Sequence, residues 1–140
     1  MKKKLLLSLS VVLVVFVIGF YYSRNCLAGG SSVKILEIDP QSSVVLKSGS
    51  EVHFKVKLEY NVIDDSATVN LIIQNADYSS GIDDVVGSTM QVLTKGKGTV
   101  TLEKTVKVPD TNALQVFTPL MIPGKTQTSI VDMKAYKVVK

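Results

Sequence analysis

The chain has 140 residues, a formal net charge of +4 at pH 7 and one cysteine, which is enough length for a single domain with an N-terminal extension. The first thirty residues contain four basic residues and no acidic residue, whereas residues 31–140 hold 12 lysines and 12 acidic residues. The neutral main part argues against a nucleic-acid-binding surface, and one cysteine excludes an internal disulfide.

The N-terminal segment has three lysines followed by an apolar run over residues 5–22. One interpretation is a secretory signal peptide that is cleaved after Ala28. The other is an uncleaved single-pass anchor, because about 18 apolar residues reach the lower limit of a spanning helix and Arg24 flanks them. Both interpretations place residues 31–140 outside the cytoplasm, since the basic flank stays inside. We therefore expect an extracellular domain at 31–140, either secreted or anchored to the cytoplasmic membrane by residues 5–22, behind a leader and short linker at 1–30.

The remaining chain alternates strand-like segments with turn signals. In chain order, the predicted strands are residues 33–39, 51–60, 66–75, 89–93, 99–108, 113–121 and 129–139. No stretch after residue 30 has a helical period. Seven short strands with turn signals every 8–12 residues or so predict an all-β, antiparallel sandwich.

Residues 51–60, EVHFKVKLEY, carry the clearest strand pattern of the chain. Apolar and polar residues alternate there, so that Leu58 is predicted to face a core and His53 to face water. In residues 66–75 the same alternation is broken by Ile72, which indicates partial cover on the outer face. Residues 113–121 are nearly continuous in apolar side chains, as a central strand would be.

Two stretches resemble a known family. Residues 49–62, GSEVHFKVKLEYNV, and residues 95–110, KGKGTVTLEKTVKVPD, resemble the second strand and a later hairpin-and-strand segment of extracellular immunoglobulin-like modules from bacteria and archaea, of the fibronectin-type-III and CARDB kind. The resemblance implies a seven-stranded immunoglobulin-like sandwich in an extracellular setting. It implies no functional residue, since such folds host many functions.

The sequence contains few residues that are suited to catalysis. His53 is the only histidine, and no nucleophile or third group marks it as a general base. One histidine and no cysteine in the domain argue against zinc. The pairs Asp64–Asp65 and Asp83–Asp84 are candidate calcium ligands, but neither has the spacing of an EF-hand loop, and acidic residues are common turn formers. We expect no enzyme activity, no cofactor and no bound metal.

The long connection at residues 76–88 is the candidate partner-binding loop. Tyr78 is placed to stack on a sugar or to anchor a protein partner, and Asp83 and Asp84 add negative charge. The alternative role of Tyr78 is local packing of the loop.

If successive strands run antiparallel, the connections between them lie alternately at the two opposite ends of the sandwich, here called its poles. The pole where the linker enters, here the linker pole, should hold Asp64, Asp65, Lys95, Lys97 and Lys125. The opposite, far pole should hold Asp39, Asp77, Asp83, Asp84 and Asp110. If the leader stays uncleaved, the three lysines of the linker pole would face anionic headgroups of the membrane.

These features predict a non-catalytic, exported or membrane-tethered cell-surface binding module whose partner is a protein or a glycan. The alternative is a structural spacer or an accessory subunit of an envelope assembly. A protease inhibitor of immunoglobulin-like fold is a minor alternative.

Overall fold

The computed structural model describes residues 30–76, 85–125 and 129–140, with only the backbone described at 129–131. The chain divides into two compact units, Met1–Gly30 and Ser31–Lys140. The predicted hydrophobic helix at 5–22 and the loop residues Tyr78, Asp83 and Asp84 lie outside the described residues.

The described part of Ser31–Lys140 is all-β, as predicted. Its six strands are β1 (Ser32–Asp39), β2 (Leu46–Lys47), β3 (Glu51–Asn75), β4 (Val85–Lys107), β5 (Ala113–Met121) and β6 (Ser129–Val139). In this part of the chain no helix is long and apolar enough to cross a membrane.

The number of strands differs from the prediction of seven, because two predicted turns are bends within continuous strands. Predicted strands 51–60 and 66–75 are the two halves of β3, and 89–93 and 99–108 belong to β4. Between the pairs Val62–Gly96 and Ser66–Thr94 the register shifts, as it does at a β-bulge, and the β3–β4 pairing then continues. The two-residue strand β2 was not predicted, and its pairing with β6 is parallel, so the sheet is mixed rather than antiparallel throughout.

The bend divides the sheet into two halves with different neighbours. Half A consists of β1, residues 51–61 of β3 and residues 97–107 of β4. Half B consists of residues 66–75 of β3, residues 85–94 of β4, β5 and β6, with β2 beside β6. Strand β1 pairs only with the first half of β3, and strand β5 pairs only with the second half of β3.

The core lies between the inner faces of the two halves. Phe54 of half A meets Tyr136 of half B edge to face, with ring centroids 5.4 Å apart. The Tyr136 hydroxyl donates to the Pro40 carbonyl at 2.6 Å, and burial, with the charge of Asp39 as a smaller cause, raises the pKa of this phenol. The predicted core residues Leu58, Val69 and Leu102 are all buried, which confirms the predicted inner face.

Candidate functional site

The outer face of half A is covered by paired charges. Lys55 donates to Glu103 across the β3–β4 pair at 3.1 Å, and Lys57 donates to Glu37 of β1 at the same distance. The hydrogen bond and charge of Lys55, with a smaller contribution from His53, hold the pKa of Glu103 below its ordinary value. Each of these side chains is more than two-fifths exposed, so the pairs suit a solvated face.

His53 lies on this charged face, as its strand phase predicted. Its Nδ1 atom is 2.8 Å from Thr105 Oγ1, and its Nε2 atom is 3.5 Å from Glu103 Oε2. The three side chains stand on neighbouring positions of an open sheet surface rather than in a cleft. The geometry supports cross-strand pairing, which contributes on the order of 0.2–1 kcal/mol per pair.

The outer face of half B has the opposite character. Its outward positions follow from the strand alternation and the pairing register. In its central part they are Thr68, Asn70, Ile72, Gln74, Ser88, Met90, Val92, Thr94, Gln115, Phe117, Pro119, Met121, Met133 and Ala135. None of these side chains is charged; the outward-facing Lys137 of β6, which pairs with Ala113, and Lys47 of β2, which pairs with Val139, lie on the same face at its far-pole end. We call this surface the uncharged face.

Large apolar side chains are exposed on the uncharged face. Met90 and Val92 of β4 are 70% and 68% exposed, and Met133 of β6 is 51% exposed. In the register, Met133 continues a row from Ile72 through Phe117, Val92 lies in the row of Thr68 and Met121, and Met90 lies opposite Asn70. Exposed apolar side chains grouped on one sheet face are a feature of interaction sites in soluble domains.

One polar atom within this face is buried without a partner. Asn70 lies opposite Met90 in the β3–β4 register, and its Oδ1 atom is buried with no hydrogen-bond donor among the described residues. An unsatisfied buried acceptor costs about 1–3 kcal/mol. Nearby, Gln74 donates to Gln115 at 3.2 Å, and the Gln115 amide contacts the Met133 sulfur.

Two of the residues predicted to lie at the linker pole, Asp64 and Lys125, are in contact. Lys125 donates to Asp64 Oδ1 at 2.8 Å, and the Ser31 hydroxyl donates to Asp64 Oδ2 at 3.1 Å. The Ile63 amide donates in turn to the Ser31 hydroxyl at 3.0 Å. The hydrogen bond from Lys125 is the largest cause that holds the pKa of Asp64 below its ordinary value of 3.8.

An open cleft of about 800 Å³ adjoins this pole. Lys97 and Lys34 line it together with Glu59 and Asp132, so its charges balance. Lys95 is exposed near the β3–β4 bend. Among the described residues, no three histidine, cysteine or acidic side chains come close enough together to hold a metal ion.

The far pole is less acidic in its described part than predicted. The Lys140 ammonium lies 3.6 Å from the Asp110 carboxylate, because β6 ends beside the β4–β5 connection. Lys47 lies there as well, paired in register with Val139. The predicted partner-binding residues Tyr78, Asp83 and Asp84 are outside the described residues, so the structure brings none of them into a site.

Sequence reasoning missed the uncharged face, although two of its signals were visible. Ile72 interrupts the alternation of its strand, and residues 113–121 are apolar on both faces. The pairing of β3 with β4 and β5 brings apolar residues that are scattered along the sequence onto one surface, and the sequence alone does not predict this pairing.

Comparisons with known proteins add little to this geometry. No family model and no curated protein matches the chain. Among solved structures, the chain is similar to β-glucosidase from Listeria innocua in complex with gluconolactone, with a TM-score of 0.45 and 19% identity over 79% of this chain. For the isofagomine complex of the same enzyme, the TM-score is 0.46 and the identity 19% over 79% of this chain. The match spans 16% of either enzyme chain, and a likeness at this level carries no argument about function.

Proposed function

We propose that this protein is a non-catalytic binding module of the cell surface, exported and either secreted or held at the cytoplasmic membrane by its N-terminal segment. The observation that supports the proposal is the contrast between the two outer faces. One face is covered by paired charges, and the other carries charge only at its far-pole end, at Lys137 and Lys47, and exposes Met90, Val92 and Met133. Depletion of charge together with exposed methionine side chains is typical of the centre of protein interfaces.

The same proposal includes an immunoglobulin-like arrangement of seven strands behind an N-terminal hydrophobic helix at residues 5–22. If each half of β3 and each half of β4 is counted as one strand, the seven strands in chain order are β1, the two halves of β3, the two halves of β4, β5 and β6. This order is supported by the pairings, in which half A joins β1 to parts of β3 and β4 and half B joins the other parts to β5 and β6.

Photo-crosslinking of the full chain in cells tests the binding function. A benzophenone side chain is introduced at Met133 on the uncharged face, and in a matched control at the exposed Thr101 on the outer face of half A. We expect a discrete adduct with a protein from Met133 and none from Thr101. In the chain that carries benzophenone at position 133, the further change Met121→Glu should lower the yield of the adduct about tenfold, because a charge would have to be buried in the interface.

The absence of an adduct from Met133, or equal adducts from both positions, would reject the uncharged face as a binding surface. The structural spacer would then be the better proposal for this module.

A further inference from the structure

Two lysines bound the uncharged face at its far-pole end. Lys137 lies on β6 and Lys47 on β2, next to each other in the parallel pairing of these two strands. Both lysines are exposed, whereas their chain neighbours Val138 and Leu46 are buried, so the lysines point outward, to the same side as Met133. The outer surface of half B is therefore apolar in its centre and basic at one end.

These two lysines differ from the lysines of the opposite face in their charge balance. Lys55 and Lys57 of half A each donate to a glutamate at 3.1 Å. No acidic side chain in the described part of the chain forms an ion pair with Lys47 or Lys137. A partner that covers the apolar centre would therefore set its rim against two positive charges that the domain itself does not compensate.

The distance between the apolar and the basic part is set by β6. Met133 and Lys137 lie on the same side of this strand and are four residues apart, which separates them by about 13 Å. A partner that contacts both needs a carboxylate at about that distance from its apolar contact. The spacing corresponds to about nine residues along an α-helix or about four residues along an extended segment.

We propose that the partner of the uncharged face is a protein whose contact surface is apolar in its centre and acidic at one end, with carboxylates placed against Lys137 and Lys47. The inference rests on the proposed function, and it adds the chemistry and the direction of the partner. The apolar part covers Met90 and Met133. The carboxylates fix the direction, because a reversed partner would set them against the uncharged end near Met121.

The composition of the face favours a protein over a lipid surface. Met90, Val92 and Met133 are its most exposed large apolar side chains, and the amides of Gln74 and Gln115 lie between the row of Met133 and the basic end. Faces that enter a membrane carry Trp, Phe or Leu, whereas methionine is enriched in protein interfaces. A second copy that presents the same face does not fit either, because this face supplies lysines and no carboxylate.

Photo-crosslinking of the full chain in cells, with benzophenone at position 133, tests this chemistry. Lys47→Glu together with Lys137→Glu should lower the yield of the protein adduct about tenfold, because like charges would then face each other. Lys47→Gln together with Lys137→Gln should lower the yield about threefold, since attraction is lost and no repulsion is added. The matched control is Lys107→Glu, at an exposed lysine of half A that forms no ion pair with the described residues, and it should leave the yield unchanged.

The cross-linked peptide of the partner provides the second measurement. Mass spectrometry should find an acidic residue in the partner about nine residues from the linked position in a helix, or about four in an extended segment. Changing that acid to lysine should restore the adduct of the chain that carries Lys47→Glu and Lys137→Glu, a rescue that a purely structural role of the two lysines would not produce.

Three outcomes would overturn the inference while leaving an adduct at Met133. They are an unchanged yield after both lysines are changed to glutamate, a partner peptide without an acid at the stated spacing, and an adduct whose partner is a lipid or a second copy of this chain. An unchanged yield with a different protein would leave the proposed binding function standing and refute only the acidic partner. The absence of any adduct at Met133 would reject the binding function and this inference together.

Discussion

At the scale of single residues, Asp64 gains its partners only in the fold. The sequence places it in an acidic connection, where an aspartate suits calcium binding and turn formation alike. The structure gives its carboxylate two donors, Lys125 and Ser31, which lie 61 and 33 residues away along the chain. The carboxylate therefore serves as an anchor between the bend of β3 and the β5–β6 connection.

This pairing makes the stability dependent on pH. Because the pKa of Asp64 is lowered in the fold, its contribution is fully present above the ordinary value of 3.8 and is lost as the pH falls through the lower folded pKa. Lys125→Ala should raise the pKa of Asp64 towards 3.8 and weaken the pH dependence below pH 4 or so. Carboxyl-carbon NMR titration measures the shift. An unchanged pKa would mean that Lys125 is not the main cause.

The two faces of residues 51–60 predict opposite responses to mutation. Leu58 is fully buried, so Leu58→Ala should lower the free energy of unfolding by about 2–5 kcal/mol. His53→Ala, on the exposed face, should change it by no more than about 0.5 kcal/mol. Urea melts of both variants check this. A Leu58→Ala change near zero would contradict the core assigned to the inner face of β3.

At the scale of strands, Asp132 connects the two halves of the sheet. Its Oδ2 atom accepts the Ile35 amide of β1 at 2.9 Å, and its Oδ1 atom accepts the Met133 amide at 2.9 Å. The side chain thus satisfies a backbone donor at a place where β1 and β6 approach each other without strand pairing among the described residues. Short hydrogen bonds to a charged acceptor contribute about 1.5–3 kcal/mol.

Asp132→Ala should therefore destabilise the domain by roughly that amount, about 1.5–3 kcal/mol. Hydrogen exchange of the Ile35 amide should become faster, because its acceptor is removed. Asp132→Asn, which keeps an oxygen acceptor at the same position, is the control and should retain most of the protection. Equal exchange rates in all three proteins would show that the contact does not hold β1 to β6.

At the scale of the whole molecule, the three lysines of the linker pole differ in whether an acidic side chain compensates their charge. Lys125 is paired with Asp64 at 2.8 Å, while Lys95 is exposed and Lys97 lines the open cleft. If this pole faces anionic headgroups, each lysine near the surface that has no acidic partner among the described residues contributes about 1 kcal/mol of attraction. The paired Lys125 should contribute less, since its charge is already compensated.

Binding of residues 31–140, which hold their own core, to anionic vesicles tests this orientation. Lys95→Ser with Lys97→Ser should weaken binding and reduce its salt dependence, and Lys125→Ser alone should have the smaller effect. Neutral vesicles are the control. If the triple change to serine leaves binding to anionic vesicles intact, the membrane-facing assignment of the three lysines is wrong.

The sequence by itself determined the all-β class, the buried side of β3 and the meeting of Lys125 and Asp64 at one pole. Strict alternation in residues 51–60 leaves one assignment of inner and outer face, and antiparallel order restricts which connections share a pole. The tertiary structure decided that residues 61–65 bend a continuous strand, because acidic residues and glycines suit bulges and turns alike. It also decided the uncharged face, since that face depends on which distant strands pair, and a strand's own side-chain pattern does not encode its neighbours.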